Sequence, residues 1–123
     1  AKSDLDNLDD AQNCALKAIK MSKRNNEKHI EAPSHIWYGK ILNKANPSHF
    51  KRAEDSIVIG IKMSEEIGLK PFYSIGSFFL GELQAETNQS QKALRSLKSA
   101  EKMFQEMGMD YWNKKTQEVL VCL

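Results

Sequence analysis

Apolar positions recur at three- and four-residue steps along nearly the whole chain, the spacing of one face of an α-helix. The clearest case is the stretch ALRSLKSAEKMFQEMG at residues 93–108. Ala93, Leu97 and Ala100 form a stripe there, and Met103, Phe104 and Met107 continue it. The two alanines let a neighbouring helix come close, and the leucine between them fills the gap. Gly108 can take the left-handed conformation that ends a helix.

The same pattern predicts five more helices. Over 5–27, Leu8, Ala11, Ala15, Ala18 and Ile19 share a face, with Asp6 or Asp9 near the start and Asn25 and Asn26 as turn residues in a polar exit. A second helix is expected from Ala32 or Ser34 to Ala45, with Pro33 in its first turn, where proline is tolerated. It carries Ile36, Trp37, Ile41 and Leu42. Asn46-Pro47-Ser48 breaks the chain. Ser48 or Asn46 can cap a third helix that runs to about Ile67, with Ala53, Ile57, Gly60, Ile61 and Ser64 on its face. Gly68 ends it, and Pro71 opens the aromatic-rich PFYSIGSFFLGELQAE. Glycine inside a helix costs about 1 kcal/mol relative to alanine. Gly76 and Gly81 therefore read as points of close helix packing. Ser90 is a suitable cap for the 93–108 helix, and Asp110 for a last one to about Val121, anchored by Trp112 and Leu120. Six helices joined by short turns make an up-and-down, all-α chain.

Self-comparison shows an internal repeat. Ile19-Lys20-Met21-Ser22 returns as Ile61-Lys62-Met63-Ser64, an offset of 42, at which Trp37 also matches Phe79 and Gly39 matches Gly81. Glu66-Ile67-Gly68-Leu69 returns 40 residues later as Glu106-Met107-Gly108-Met109. The small–large–small stripe occurs as Ala11, Ala15, Ala18, as Ala53, Ile57, Gly60, and as Ala93, Leu97, Ala100. A helix pair repeated this way buries its apolar faces only by stacking on its neighbours.

On these residues the chain resembles the tetratricopeptide-repeat family. Leu80-Gly81 followed by Ala93, Leu97 and Ala100 matches that family's large–small pair in a first helix and small–large–small set in a second. Gly39 with Ala53, Ile57 and Gly60 matches after two extra residues near Pro47, and Ala11, Ala15 and Ala18 resemble the second helix of a preceding repeat. The period of 40–42 exceeds the family's ~34. The stretch 103–109 with Trp112 also resembles the C-terminal repeats of large bacterial signalling ATPases and nucleotide cyclases. The resemblance implies antiparallel helix pairs stacked as a short right-handed α-solenoid, one domain over 1–123 with repeat-sized units at about 8–45, 46–88 and 89–122. It also implies a concave groove lined by first helices, with Ile36, Lys40, Asn43 and Lys44 on one wall and Phe78, Glu82, Ala85 and Glu86 on the other.

Charge and chemistry change this picture little. Eighteen basic and sixteen acidic side chains leave a net charge of +2, too balanced to argue for nucleic acid or an acidic membrane. Locally, Asp4, Asp6, Asp9 and Asp10 face only Lys2, whereas Lys17, Lys20, Lys23, Arg24 and Lys28 face only Glu27. Acids at a helix start and bases at its end suit the helix dipole. Cys14 and Cys122 show no disulfide framework and read as reduced thiols of a cytoplasmic protein, Cys14 as a packing residue. No apolar run approaches the roughly 18 residues of a membrane span. His29, His35 and His49 fall near predicted helix ends or loops, as solvent-exposed positions without metal-ligand spacing. No residue set supplies a nucleophile or acid with an orienting partner, so neither an enzyme nor a cofactor is expected. Phe72, Tyr73, Phe78, Phe79, Trp37 and Tyr38 are the one aromatic cluster, read as core more readily than as ligand cage. The expectation is a module that binds a protein or peptide on its concave face, driven by partly exposed aromatics. The alternative is a regulatory repeat region of a larger signalling enzyme or transcription regulator, with an intramolecular partner domain. The apolar tail 119–123 suggests an uncapped end and self-association through a terminal helix as a homodimer.

Overall fold

Four of the five helix-to-helix turns are built the same way. Each places one residue in the left-handed region: Asn26 (φ 56°), Gly68 (φ 74°), Asn88 (φ 61°) and Gly108 (φ 67°). Asparagine and glycine tolerate that conformation best. The next residue then sends its N–H back five positions: Glu27 to the Ser22 carbonyl at 2.7 Å, Leu69 to Ser64 and Gln89 to Gln84 at 2.8 Å, and Met109 to Phe104 at 2.9 Å. The carbonyls of these same residues accept N–H bonds from the new helix, from Glu31, Tyr73, Ala93 and Asn113. One residue thus ends one helix and starts the next.

The computed structural model describes residues 4–123, with side chains from Asn7 onward. Lys2 and the side chains of Asp4 and Asp6, part of the acidic run, lie outside the described residues. The elements are α1 (Asp4–Arg24), α2 (Lys28–Ala45), a 3-10 turn (Pro47–His49), α3 (Phe50–Glu66), α4 (Lys70–Glu86), α5 (Ser90–Met107) and α6 (Asp110–Val121), with no strand among the described residues. The architecture is all-α, six helices packed in sequential pairs, as the periodicity predicts. From Asn26 to Gly68 is 42 residues and from Gly68 to Gly108 is 40, and the first span is the one that holds the Pro47–His49 turn.

Two expectations about helix starts are corrected. Ser90 and Asp110 are first residues of α5 and α6, and the cap positions belong to Gln89 and Met109, with no side-chain cap bond. Helix α2 begins at Lys28 rather than at Ala32 or Ser34, which puts Pro33 inside the helix. Burial of Glu31 and Ala32 against neighbouring helices overrides the proline. His35 is consequently buried in mid-helix, its Nε2 3.1 Å from Glu31 Oε2, one turn away, and is not the solvent-exposed residue expected. Cys14 also departs from expectation: it is exposed, not packed.

Consecutive helices interlock through glycine. A Cβ on Gly39 of α2 would lie 2.5 Å from Ile57 Cγ1 and 2.6 Å from the Ala53 carbonyl oxygen. One on Gly60 of α3 would lie 2.5 Å from Ile36 Cγ1 and 2.7 Å from the Ala32 carbonyl oxygen. Each helix offers a glycine to the other's isoleucine. Gly76 receives Ile61 and Gly81 receives Leu97 in the same manner, as the close-contact reading requires. Ile36, Leu42, Ile57, Leu83, Leu97 and Phe104 are the large apolar side chains fully enclosed by this packing.

Repeat-equivalent serines end differently. Ser22 Oγ donates to the Ala18 carbonyl at 2.6 Å, whereas the buried Ser64 Oγ has no partner among the described residues. An unsatisfied buried hydroxyl costs about 1–3 kcal/mol. Ser64→Ala is therefore expected to leave stability unchanged or raise it by about 1 kcal/mol, while Ser22→Ala lowers it by about as much. Paired urea titrations check this, and equal losses in both variants would contradict it.

Beyond neighbours in sequence, α2 touches α4 and α4 touches α6, whereas α1, α3 and α5 do not touch one another among the described residues. The even-numbered helices thus form the tighter layer of the stack, the inner one, and the odd-numbered helices the outer. Of the apolar tail, Val119 and Leu120 are half-buried against the core, while Val121, Cys122 and Leu123 are exposed, as expected of an uncovered end. The exposed side of α6 carries Lys114, Gln117 and Glu118 beside Val121.

Candidate protein-binding face

Two residues expected on the groove walls belong to the core instead. Ile36 is 1% exposed, with its Cγ1 in the notch above Gly60, and Phe78 is 4% exposed against Phe79 and Trp112. The glycine seams fix which side of α2 meets α3, and Ile36 lies on that side. Trp37, 40% exposed, holds the outward position beside Ile36. Ile30, Trp37 and Ile41 continue along this side of α2, and Ile41 is half-buried.

The polar candidates do converge, but on each other. Lys40 Nζ donates to Glu82 Oε1 at 3.1 Å, and Asn43 Nδ2 donates to Glu86 Oε2 at 3.0 Å. These partners stand 42 and 43 residues apart, so the repeat brings equivalent turns of α2 and α4 side by side. The two walls are thus one seam. Such partly exposed pairs contribute about 0–1 kcal/mol each and serve mainly to fix the register of the two helices. Lys44 is exposed and forms no ion pair among the described residues. With Lys40, Asn43, Pro47 and Glu86 it borders an open hollow of about 360 Å³. Ala85 is half-buried beside this seam.

Across the inner layer runs a ladder of rings. Trp37 meets Phe79 edge-on at 5.1 Å between centroids, Phe79 meets Trp112 at 5.9 Å, and Trp112 meets Tyr111 at 5.4 Å. A lysine sits over the ladder at each side: Lys40 Nζ is 5.1 Å from the Phe79 centroid and Lys115 Nζ is 5.7 Å from that of Tyr111. Cation–π contact of this kind holds a lysine stem against the ring and keeps its charge at the surface. The middle of the ladder is core, while its ends, Trp37 and the 66% exposed Tyr111, reach solvent. Tyr73 and Phe72 of the aromatic cluster are half-buried and Tyr38 is buried, its hydroxyl accepting from Arg52 Nη2 at 3.4 Å.

Sequence reasoning places Trp112 as an anchor of the last helix but overlooks Tyr111 and Lys115 as surface. They match nothing at an offset of 40 or 42, so self-comparison is blind to them. The usable signal is the alternation of helices, which puts α6 in the same layer as α2 and α4. Among the described residues no group of three or more His, Cys, Asp or Glu could hold a metal ion, and no helix is long and apolar enough to cross a membrane. No family model matches the chain, and no curated protein or solved structure does either.

Proposed function

We propose that the chain is a protein-interaction module, with the inner layer of α2, α4 and α6 receiving an extended or helical segment of another protein. The observation that carries this reading is the ring ladder with its two exposed ends. Aromatic side chains on a firm base are the commonest anchors of protein interfaces, since they contribute large contact area at small cost in side-chain freedom. The tetratricopeptide resemblance supports the same face, as first helices line the groove in that family. Trp37 and Tyr111 take the role first given to Ile36 and Phe78; Lys44, Lys115 and the hollow beside Glu86 would orient the incoming segment.

Peptides selected from a random display library against the immobilised chain test this. Trp37→Ala and Tyr111→Ala are each expected to weaken the selected peptides at least tenfold, because hot-spot truncation costs about 2 kcal/mol or more. Leu94→Ala, at an exposed position of the outer layer, should leave them unchanged. Selected peptides that bind all three variants alike would reject the assignment of this face.

A further inference from the structure

The cations at the junction of α1 and α2 are not explained by folding. Lys17, Lys20, Lys23, Arg24 and Lys28 are all exposed, and none forms an ion pair among the described residues. The one acid between them, Glu27, accepts from Asn25 Nδ2 at 3.3 Å. Lysines and arginine in the last turns of α1 suit its dipole, but Lys28 does not fit that account. It is the first residue of α2, at the positive end of that helix, where a cation is unfavourable. Elsewhere the chain solves the same problem: Lys70, the first residue of α4, is bonded to Glu106 at 3.1 Å. Lys28 has no such partner among the described residues.

Lys17, Lys20 and Arg24 are spaced three and four apart, so they share one side of α1 over about 10 Å. Met21 stands on the same side and is 59% exposed. We propose that this corner docks on a membrane surface rich in anionic phospholipid, the cations over headgroup phosphates and carboxylates and Met21 dipping among the acyl chains at their upper edge. Four of the five cations are lysines and no aromatic ring is interleaved with them, which favours diffuse attraction to lipid over stacking or forked recognition of nucleic acid. An exposed apolar tip among cations gains from a lipid interface and gains nothing over a phosphodiester backbone.

Sedimentation of the full chain with extruded vesicles tests the proposal. Vesicles of phosphatidylcholine with about one-third phosphatidylserine are expected to carry the protein down, pure phosphatidylcholine vesicles are not, and about 1 M salt should release it. Each cation removed should weaken partitioning about fivefold, so K17Q/K20Q/R24Q loses on the order of 100-fold. Met21→Ser should weaken it further at equal charge. Lys28→Gln separates docking from folding, because it should raise the melting temperature while weakening vesicle binding about fivefold. Equal partitioning onto both vesicle types, or anionic binding unmoved by Lys28→Gln and the triple variant, would overturn the proposal. Tighter binding to duplex or single-stranded DNA than to the anionic vesicles would overturn it in favour of nucleic acid.

Discussion

Phe104→Ala is expected to lower the unfolding free energy by about 3–5 kcal/mol, the range for deleting a large buried ring. Phe104 is fully buried, and its ring stacks on Trp112 at 6.3 Å with an interplanar angle of 26°. Its carbonyl also accepts the N–H of Met109 in the α5–α6 turn. Truncation therefore opens a cavity beside the turn that hinges α6, under the ring on which Trp112 stacks. Small domains are stable by only about 5–15 kcal/mol in total, so the loss is a large share. Hydrogen exchange gives the sharper signature: amides of α6 should lose protection well before those of α2 and α3. Uniform loss across the chain would show that α6 is not held chiefly through this ring.

Gly60→Ala is expected to cost about 2 kcal/mol, although alanine is the better helix former by about 1 kcal/mol. The added methyl would lie 2.7 Å from the Ala32 carbonyl oxygen and 2.9 Å from the Ile36 nitrogen, and neither backbone atom can turn aside as a side-chain tip could. The two helices must part, and the reciprocal seam at Gly39 and Ile57 loosens with them. Gly81→Ala meets Leu97 mainly through its side chain, with the backbone nitrogen at 3.4 Å, so its loss should be smaller. Urea denaturation of both variants provides the measurement. A Gly60→Ala protein as stable as the parent would mean that α2 and α3 can part at this seam without cost.

Most of the fold is legible in the sequence because its signals are local and repeated. Asn26, Gly68 and Gly108 mark turns by residue type alone, and the small–large–small stripes at Ala53 and Ala93 mark buried faces. What escapes notice depends on tertiary packing. Pro33 reads as a helix start, since no local rule reveals that Glu31 and His35 are buried together one turn apart. Ile36 and Trp37 are adjacent bulky residues on an apolar helix; only the position of Gly60 decides which points inward. The lysine and glutamate assigned to opposite walls show the same limit: their charges are plain in the sequence, whereas their meeting across α2 and α4 is a property of the stack.

The shared linker residue has a further consequence for how such a chain can change length. Glu27, Leu69, Gln89 and Met109 are each committed by N–H to the helix behind and by C=O to the helix ahead. A single-residue insertion at any of these turns would sever one commitment and shift how every later helix meets the earlier ones. A whole cassette, such as residues 69–108, carries one complete turn motif inside it and a matching half at each edge. Copied in tandem, it would meet its neighbours in register. Evolution or a designer can therefore lengthen this stack by units of a helix pair, with single-residue slack confined to the Pro47–His49 connection.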